Sequence, residues 1–282
     1  MTQARGTLYV VATPIGNLED ITLRALRVLK EADLIACEDT RQTRKLLDHY
    51  GIAKRTLSYH EHNEVERARE LVAELERGVA VALVSDAGTP GISDPGYRLV
   101  ALAVAHGIAV VPVPGASAFV AALAAAGLPT DSFRFGGFLP AKRGVRRDAL
   151  AAIRASASTE IFYEAPHRLL ETLEDVVEVL GGNRPVVVAR EVTKLHEEFL
   201  RGRAADVLAE LRARSVKGEC TLLIGKAEAG ATAEKKAPEI AARLRQVMRE
   251  RELDEKAALK IVARELGLSR SEAYRRLQRA RR

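Results

Sequence analysis

The sequence predicts an α/β protein: two α/β domains followed by a small helical module. Three observations predict it. Short apolar, β-branched runs alternate with amphipathic helical patterns as far as Ile224. Glycine and proline gather at the ends of those runs. The strand signal then stops after a linker rich in Ala, Gly, Glu and Lys, Ala227 to Ala237. A chain of 282 residues with 47% hydrophobic content suits one large or two medium domains.

Thr7 to Ala12 reads as the first strand and is broken by Thr13-Pro14-Ile15-Gly16. Thr22 is placed to cap a helix over Leu23 to Ala32. Strands follow at Leu34 to Cys37 and Thr56 to His60, with helices through Leu46-Leu47 and over Glu64 to Glu76. Val79 to Val84 is an unbroken apolar strand, Tyr97 to Ala105 a helix, and Ala109 to Val113 a fifth strand. Pro114-Gly115-Ala116-Ser117 opens an apolar helix that runs to Ala126. Five strands alternating with helices point to a parallel or mostly parallel sheet over residues 1–126.

A junction is expected at Gly127 to Thr130, before a second α/β domain over residues 127–228. Its strands are Arg134 to Leu139, Glu160 to Tyr163, Val186 to Ala189, a piece at Phe199-Leu200, and Cys220 to Ile224. Its helices are Asp148 to Ala155, Arg168 to Leu180 and Ala204 to Arg214. Pro140 to Arg147 reads as a basic loop. Residues 238–282 form the helical module, with apolar spacing through Leu244, Val247, Leu259, Val262 and Leu277. Ser269 with Glu272 three residues on is a capping box. Helix, Gly turn and capped helix resemble a helix-turn-helix.

Charge is unevenly spread. From Gly230 onward there are 15 Lys and Arg against 8 Asp and Glu, whereas the rest carries 29 against 30. The asymmetry suggests a polyanionic partner for the tail. No run of about 18 apolar residues appears, so no membrane contact is expected. No secretory signal is visible. Cys37 and Cys220 lack metal spacing and fit a reducing, cytoplasmic setting as buried side chains.

Ser85 to Gly96, SDAGTPGISDPG, organises the chain. Three glycines and two prolines exclude both helix and strand there, and a buried strand precedes it. Open α/β sheets bind ligands at such strand ends. With Pro14–Gly16 and Pro114–Ser117 it makes three Gly/Pro loops whose backbone amides suit a flat or charged small molecule. Asp86 is placed to accept bonds from a ribose or an amine. Dinucleotide, P-loop and nucleophile-elbow fingerprints are absent. His60 and His62 project to one strand face without a third ligand, so no metal is expected.

The segments ATPIGNLEDIT, ACEDTRQTRKLL, LVSDAGTPGISDPG, VPVPGASA and FGGFLP resemble the tetrapyrrole-methylase superfamily. Within it they resemble the ribosomal RNA small subunit methyltransferase I group. The resemblance covers roughly Gly6 to Lys226 and, more loosely, the tail. It implies a class III methyltransferase fold with a cleft between two α/β domains, S-adenosylmethionine as cofactor, and a homodimer. It also implies methyl transfer to the ribose 2′-oxygen of a cytidine in 16S rRNA, free or in the small ribosomal subunit. The cofactor-contacting positions it implies are Pro14, Gly16, Gly88, Thr89, Pro90, Ile92, Ser117, Ala118, Tyr163 and Thr221, with Cys220 beside the last. Thr89 stands where relatives often carry Asp, so Asp86 is expected to take over polar contacts.

A ribose hydroxyl is a weak nucleophile, so positioning and a general base carry the chemistry. Glu38 and Asp39, at a strand end near the cleft, are preferred over His60, Glu61 and Glu164. Arg41, Arg44 and Lys45 on one helix, and Lys142, Arg143, Arg146 and Arg147 in the basic loop, are expected to hold RNA phosphates. Two other readings remain: methylation of a tetrapyrrole-like small molecule, and a ligand-sensing nucleic-acid-binding regulator.

Overall fold

The computed structural model describes residues 5–227, 242–250, 253–265, 268, 273–275 and 277–278. Two compact units emerge, one of residues up to 154 and 158–225, the other of 155–157 and 226 onward.

The first unit holds two five-stranded sheets. In the first, β1 (Thr7–Val11), β2 (Leu34–Cys37), β3 (Thr56–Ser58), β4 (Val81–Val84) and β5 (Ala109–Val113) lie in the order β3-β2-β4-β1-β5. Every pairing is parallel. Side chains alternate between two faces, as the strand period demands. Leu34, Ala36, Val81 and Leu83 pack under α3 (Glu64–Glu76) and α4 (Tyr97–Ala105). Ile35, Cys37, Ala82 and Val84 pack under α1 (Leu23–Glu31) and α2 (Thr40–His49). Thr22 caps α1 by accepting from the Ala25 amide at 3.0 Å. The chain leaves β1 toward β2 on one face and leaves β4 toward β5 on the other. Neighbouring strands β4 and β1 therefore flank a switch point, where the connections part and leave a crevice.

The second sheet has the order β6-β7-β10-β8-β9, from β6 (Phe133–Phe138), β7 (Thr159–Glu164), β8 (Pro185–Arg190), β9 (Glu198–Arg203) and β10 (Cys220–Ile224). Only β6 and β7 pair in parallel. α6 (Arg143–Ala152), α7 (Leu169–Leu180) and α8 (Ala204–Arg212) cover one face through Leu150, Leu173 and Leu208. The other face takes α5 (Ala118–Ala126), which follows the last strand of the first sheet. Its Ala122, Leu123 and Ala126 bury against Ile161, Val187, Ala189 and Leu223, and Ile15 joins them. By packing, α5 belongs to the second sheet, whereas sequence places the junction after it, at Gly127.

Two further expectations change and one holds. The stretch read as a basic loop is mostly helix α6, starting at Arg143 instead of Asp148. β9 is a full strand where sequence offered a fragment, because β8 gives it a six-residue antiparallel partner. Cys37 and Cys220 are buried free thiols, as expected.

In the second unit, helical residues 242–250, the helix Glu255–Glu265 and residues 273–275 and 277–278 enclose a core of their own. Leu244, Val247, Leu259, Val262 and Leu277 fill it. Asp254 caps Glu255–Glu265 through the Ala257 amide at 2.7 Å. The Ser269–Glu272 capping box, and the arginines at 270, 276, 279, 281 and 282, lie outside the described residues.

Arg146 is fully buried, and its Nε donates to Asp175 on α7 at 2.8 Å. Asp175 is buried too and also accepts from Arg143 at 3.0 Å. Removing one member of a buried pair strands the other charge. Asp175→Ala is expected to cost about 3 kcal/mol of unfolding free energy, measured in urea. Loss below about 1 kcal/mol would show that the pair does not hold α6 to α7.

Candidate active site

The loops after β1 and β4 are joined backbone to backbone. The Thr13 amide donates to Gly88 O at 2.9 Å and the Gly88 amide returns the bond to Thr13 O at 3.1 Å. Thr13 Oγ1 also donates to Ser85 O at 3.1 Å. Gly88 has φ +84°, a left-handed conformation that a Cβ would strain. The β5 loop is tied in by Thr89 Oγ1, which donates to Ala116 O at 3.3 Å. The β2 loop is tied in where the Asp39 amide donates to Asp86 Oδ1 at 3.0 Å. Four strand ends of the first sheet thus share one hydrogen-bonded rim.

Above that rim lies a cavity of about 390 Å³, within the ~300–1,000 Å³ range of small-molecule sites. Its walls come from both sheets of the first unit. Gly88, Thr89, Ile92, Ser117 and Ala118 of the predicted set line it from the first sheet and α5, and Tyr163 and Thr221 line it from the second sheet. Tyr163 and Thr221 meet because they are register partners on β7 and β10. Pro14, Gly16, Asp86 and Pro90 are not among its lining residues. Pro14 and Pro90 are buried and shape the loops from beneath, and Asp86 is spent on the Asp39 amide. Ile15, between Pro14 and Gly16, supplies the β1 loop's contribution.

Several lining residues were not singled out from sequence as ligand contacts, among them Phe138, Val192, Glu219 and Asp94. Phe138 had a readable signal in Gly136-Gly137. A Cβ on Gly136 would lie 2.5 Å from the Phe162 ring, and Gly137 takes φ +65°. The β6–β7 register slips between Phe135 and Phe138 as a result. Phe138 then meets the Tyr163 ring edge-on, with centroids 5.6 Å apart.

The carboxylates divide by environment. Asp94 lines the cavity, and burial raises its pKa, aided by the charge of Asp86 and opposed by Ser85. Glu38 is also raised, by burial first and then by Asp94, Asp86, Asp39 and Glu61. Asp39 goes the other way, held at about 2 by its side-chain bonds to Arg41 and the Arg41 amide. It is the N-cap of α2. A carboxylate that weakly basic is a poor proton acceptor, so the geometry favours the cap over the base that the sequence suggested for Asp39. Glu164 lines the cavity, but its carboxylate is buried and accepts from Thr172 Oγ1 at 2.7 Å and from the Ala165 amide at 2.9 Å. His60 sits against His62 with ring centroids 5.9 Å apart.

The cations divide in the same way. Arg44 and Lys142 are exposed, and Arg41 is 87% exposed despite its pair with Asp39. Arg146 is withdrawn from the RNA-facing set, because its guanidinium is buried on Asp175. Arg143 and Arg147 both pair with Glu178 as well.

Two α/β sheets meeting at a loop-rimmed cavity define a two-lobed α/β enzyme with its ligand site at a switch point. The model of the Tetrapyrrole (Corrin/Porphyrin) Methylases family matches residues 7–208. A relative named Ribosomal RNA small subunit methyltransferase I, from Halalkalibacterium halodurans, is 56% identical over 78% of this chain and 76% of its own length. Its namesake from Vibrio cholerae is 48% identical over 95% of this chain and 93% of its own. Among solved structures, the methyltransferase CobJ superposes with TM-score 0.60 at 23% identity, over 79% of this chain and 95% of that one. The chain belongs to the tetrapyrrole methylase family, in the branch of the small-subunit methyltransferase I relatives. It is therefore a methyltransferase.

If Asp39 is a cap, Asp39→Ala should lower stability by about 1 kcal/mol, measured by chemical denaturation. Asp39→Asn, which still caps, should sit near wild type in both stability and methyl-transfer rate. A large rate loss in Asp39→Asn would restore the carboxylate to the chemistry.

Proposed function

We propose that the cavity binds S-adenosylmethionine and that the chain methylates the ribose 2′-oxygen of a cytidine in 16S rRNA. The observation that carries the reading is the cavity at the β4–β1 switch point, in a chain 56% identical over 220 residues to a relative named as a ribosomal RNA small subunit methyltransferase. Its two ends suit opposite charges. Asp94 favours a cation such as a sulfonium. The N-terminus of α5, whose Ser117 makes no side-chain cap, favours a carboxylate through the helix dipole. Phe138 and Tyr163 offer aromatic faces for a flat base. When bound, the cofactor supplies an electrophilic methyl group.

The protein's own part is placement and proton removal. The rim of Thr13, Gly88 and Thr89 holds the donor side rigid, so reacting atoms are pre-aligned. Glu38 is the proposed base for the ribose hydroxyl, since its raised pKa gives it a better match to that proton than Asp39 has. Arg41, Arg44 and Lys142 are the proposed phosphate contacts, and the basic tail would extend them.

Labelled methyl transfer onto 30S subunits, naked 16S rRNA and a porphyrinoid separates the readings. Label should enter RNA at a ribose 2′-oxygen. Transfer only to the porphyrinoid would favour a small-molecule methylase instead. Glu38→Gln should lose roughly 10²-fold in rate with donor affinity unchanged. In the wild type the base works deprotonated, so the rate should rise with pH through a point above the ordinary Glu value and then level. A profile that is flat down to pH 4 would remove Glu38 from the role.

A further inference from the structure

The loop between β8 and β9 carries strain with no glycine to relieve it. Glu191 has φ +51° and Thr193 has φ +69°. Such backbone persists where surrounding contacts over-determine it, often at functional sites. The contacts here converge on Lys194. Its ammonium is held by Glu191 Oε1 at 2.9 Å and Glu219 Oε2 at 3.0 Å. Glu191 is braced in turn by the Glu219 amide at 2.9 Å. Gly218 makes room for it, since a Cβ there would lie 2.4 Å from the Glu191 carboxyl carbon.

The aliphatic stem of Lys194 reaches the other sheet's loops. A Cβ on Gly16 would lie 2.3 Å from Lys194 Cγ, so the stem fills the place of the side chain Gly16 lacks. Gly16 follows Ile15, and Glu219 precedes Cys220 and Thr221. Ile15, Glu219, Cys220 and Thr221 are all cavity walls, and so is Val192 of the strained loop. One side chain therefore touches both the β1 loop and the β10 entrance, two parts of the cavity wall.

We propose that Lys194 is a positioning residue, a strut that sets the width of the cavity between the β1 loop and the start of β10. The proposal rests on the donor-site reading for its effect on affinity, and on geometry alone for its effect on the walls. It also gives Gly16 a role other than ligand contact: the residue is small so that the stem can pass.

Calorimetric titration with S-adenosylhomocysteine tests it. Lys194→Ala should weaken binding about tenfold. Lys194→Met keeps the stem and should lose about threefold. Gly16→Ala carries both backbone strain and a clash with the stem. Its penalty should shrink several-fold in the Lys194→Ala background, because only the strain remains there. Equal penalties in the two backgrounds, or an unchanged affinity in Lys194→Ala, would overturn the strut. Hydrogen exchange on ligand-free protein reads the walls independently. Lys194→Ala should speed exchange around Ile15–Asn17 and Glu219–Thr221 by roughly tenfold. Unchanged exchange there overturns the strut, even if the wild type proves not to bind the probe and the donor reading falls.

Discussion

The site depends on the two backbone bonds exchanged by Thr13 and Gly88. Strands β1 and β4 are neighbours whose connections leave in opposite directions, so their loops are held together by these bonds and by Thr13 Oγ1 on Ser85 O. Without that exchange the crevice would be an open edge of unpaired amides and carbonyls. With it, Ile15 stands on one side and Thr89 on the other, and both line one cavity. The constraint is local and strict. Gly88 holds a left-handed conformation, and Thr13 spends its hydroxyl on Ser85 O.

The second sheet completes the site through α5. This helix leaves the first sheet yet buries its small face on the second. The cavity-lining residues Ser117 and Ala118 sit at its start, so the link between the sheets and the cavity wall are the same element. Across the cavity, the β7–β10 register sets Tyr163 beside Thr221. The electrostatics follow from this placement. Asp94 is half-buried among apolar walls and carboxylate neighbours, while Asp39, after the neighbouring strand β2, is spent on a helix cap.

The rim was legible because glycine and proline punctuate it. Pro14–Gly16, Ser85–Gly96 and Pro114–Ser117 announce strand ends, and alternation of apolar runs with helical spacing announces the parallel sheet. What sequence did not reveal are roles that need a distant partner. Arg146 looks like a surface cation until Asp175, on another helix, buries it. Lys194 looks like a loop lysine until its stem is found over Gly16. Asp39 reads equally well as base or cap, and its bond to the Arg41 amide, invisible in the sequence, favours the cap. Phe138 needed the bulge to turn it into the cavity.

The proposed chemistry stands or falls with this loop-rimmed cavity as the methyl donor's seat. Calorimetric titration of S-adenosylmethionine into wild-type protein and Thr89→Arg tests it most directly. Thr89 lines the cavity, and an arginine there would fill it. One-to-one binding to the wild type is expected, and none to a Thr89→Arg protein that still unfolds cooperatively. Equal binding to both proteins would contradict it.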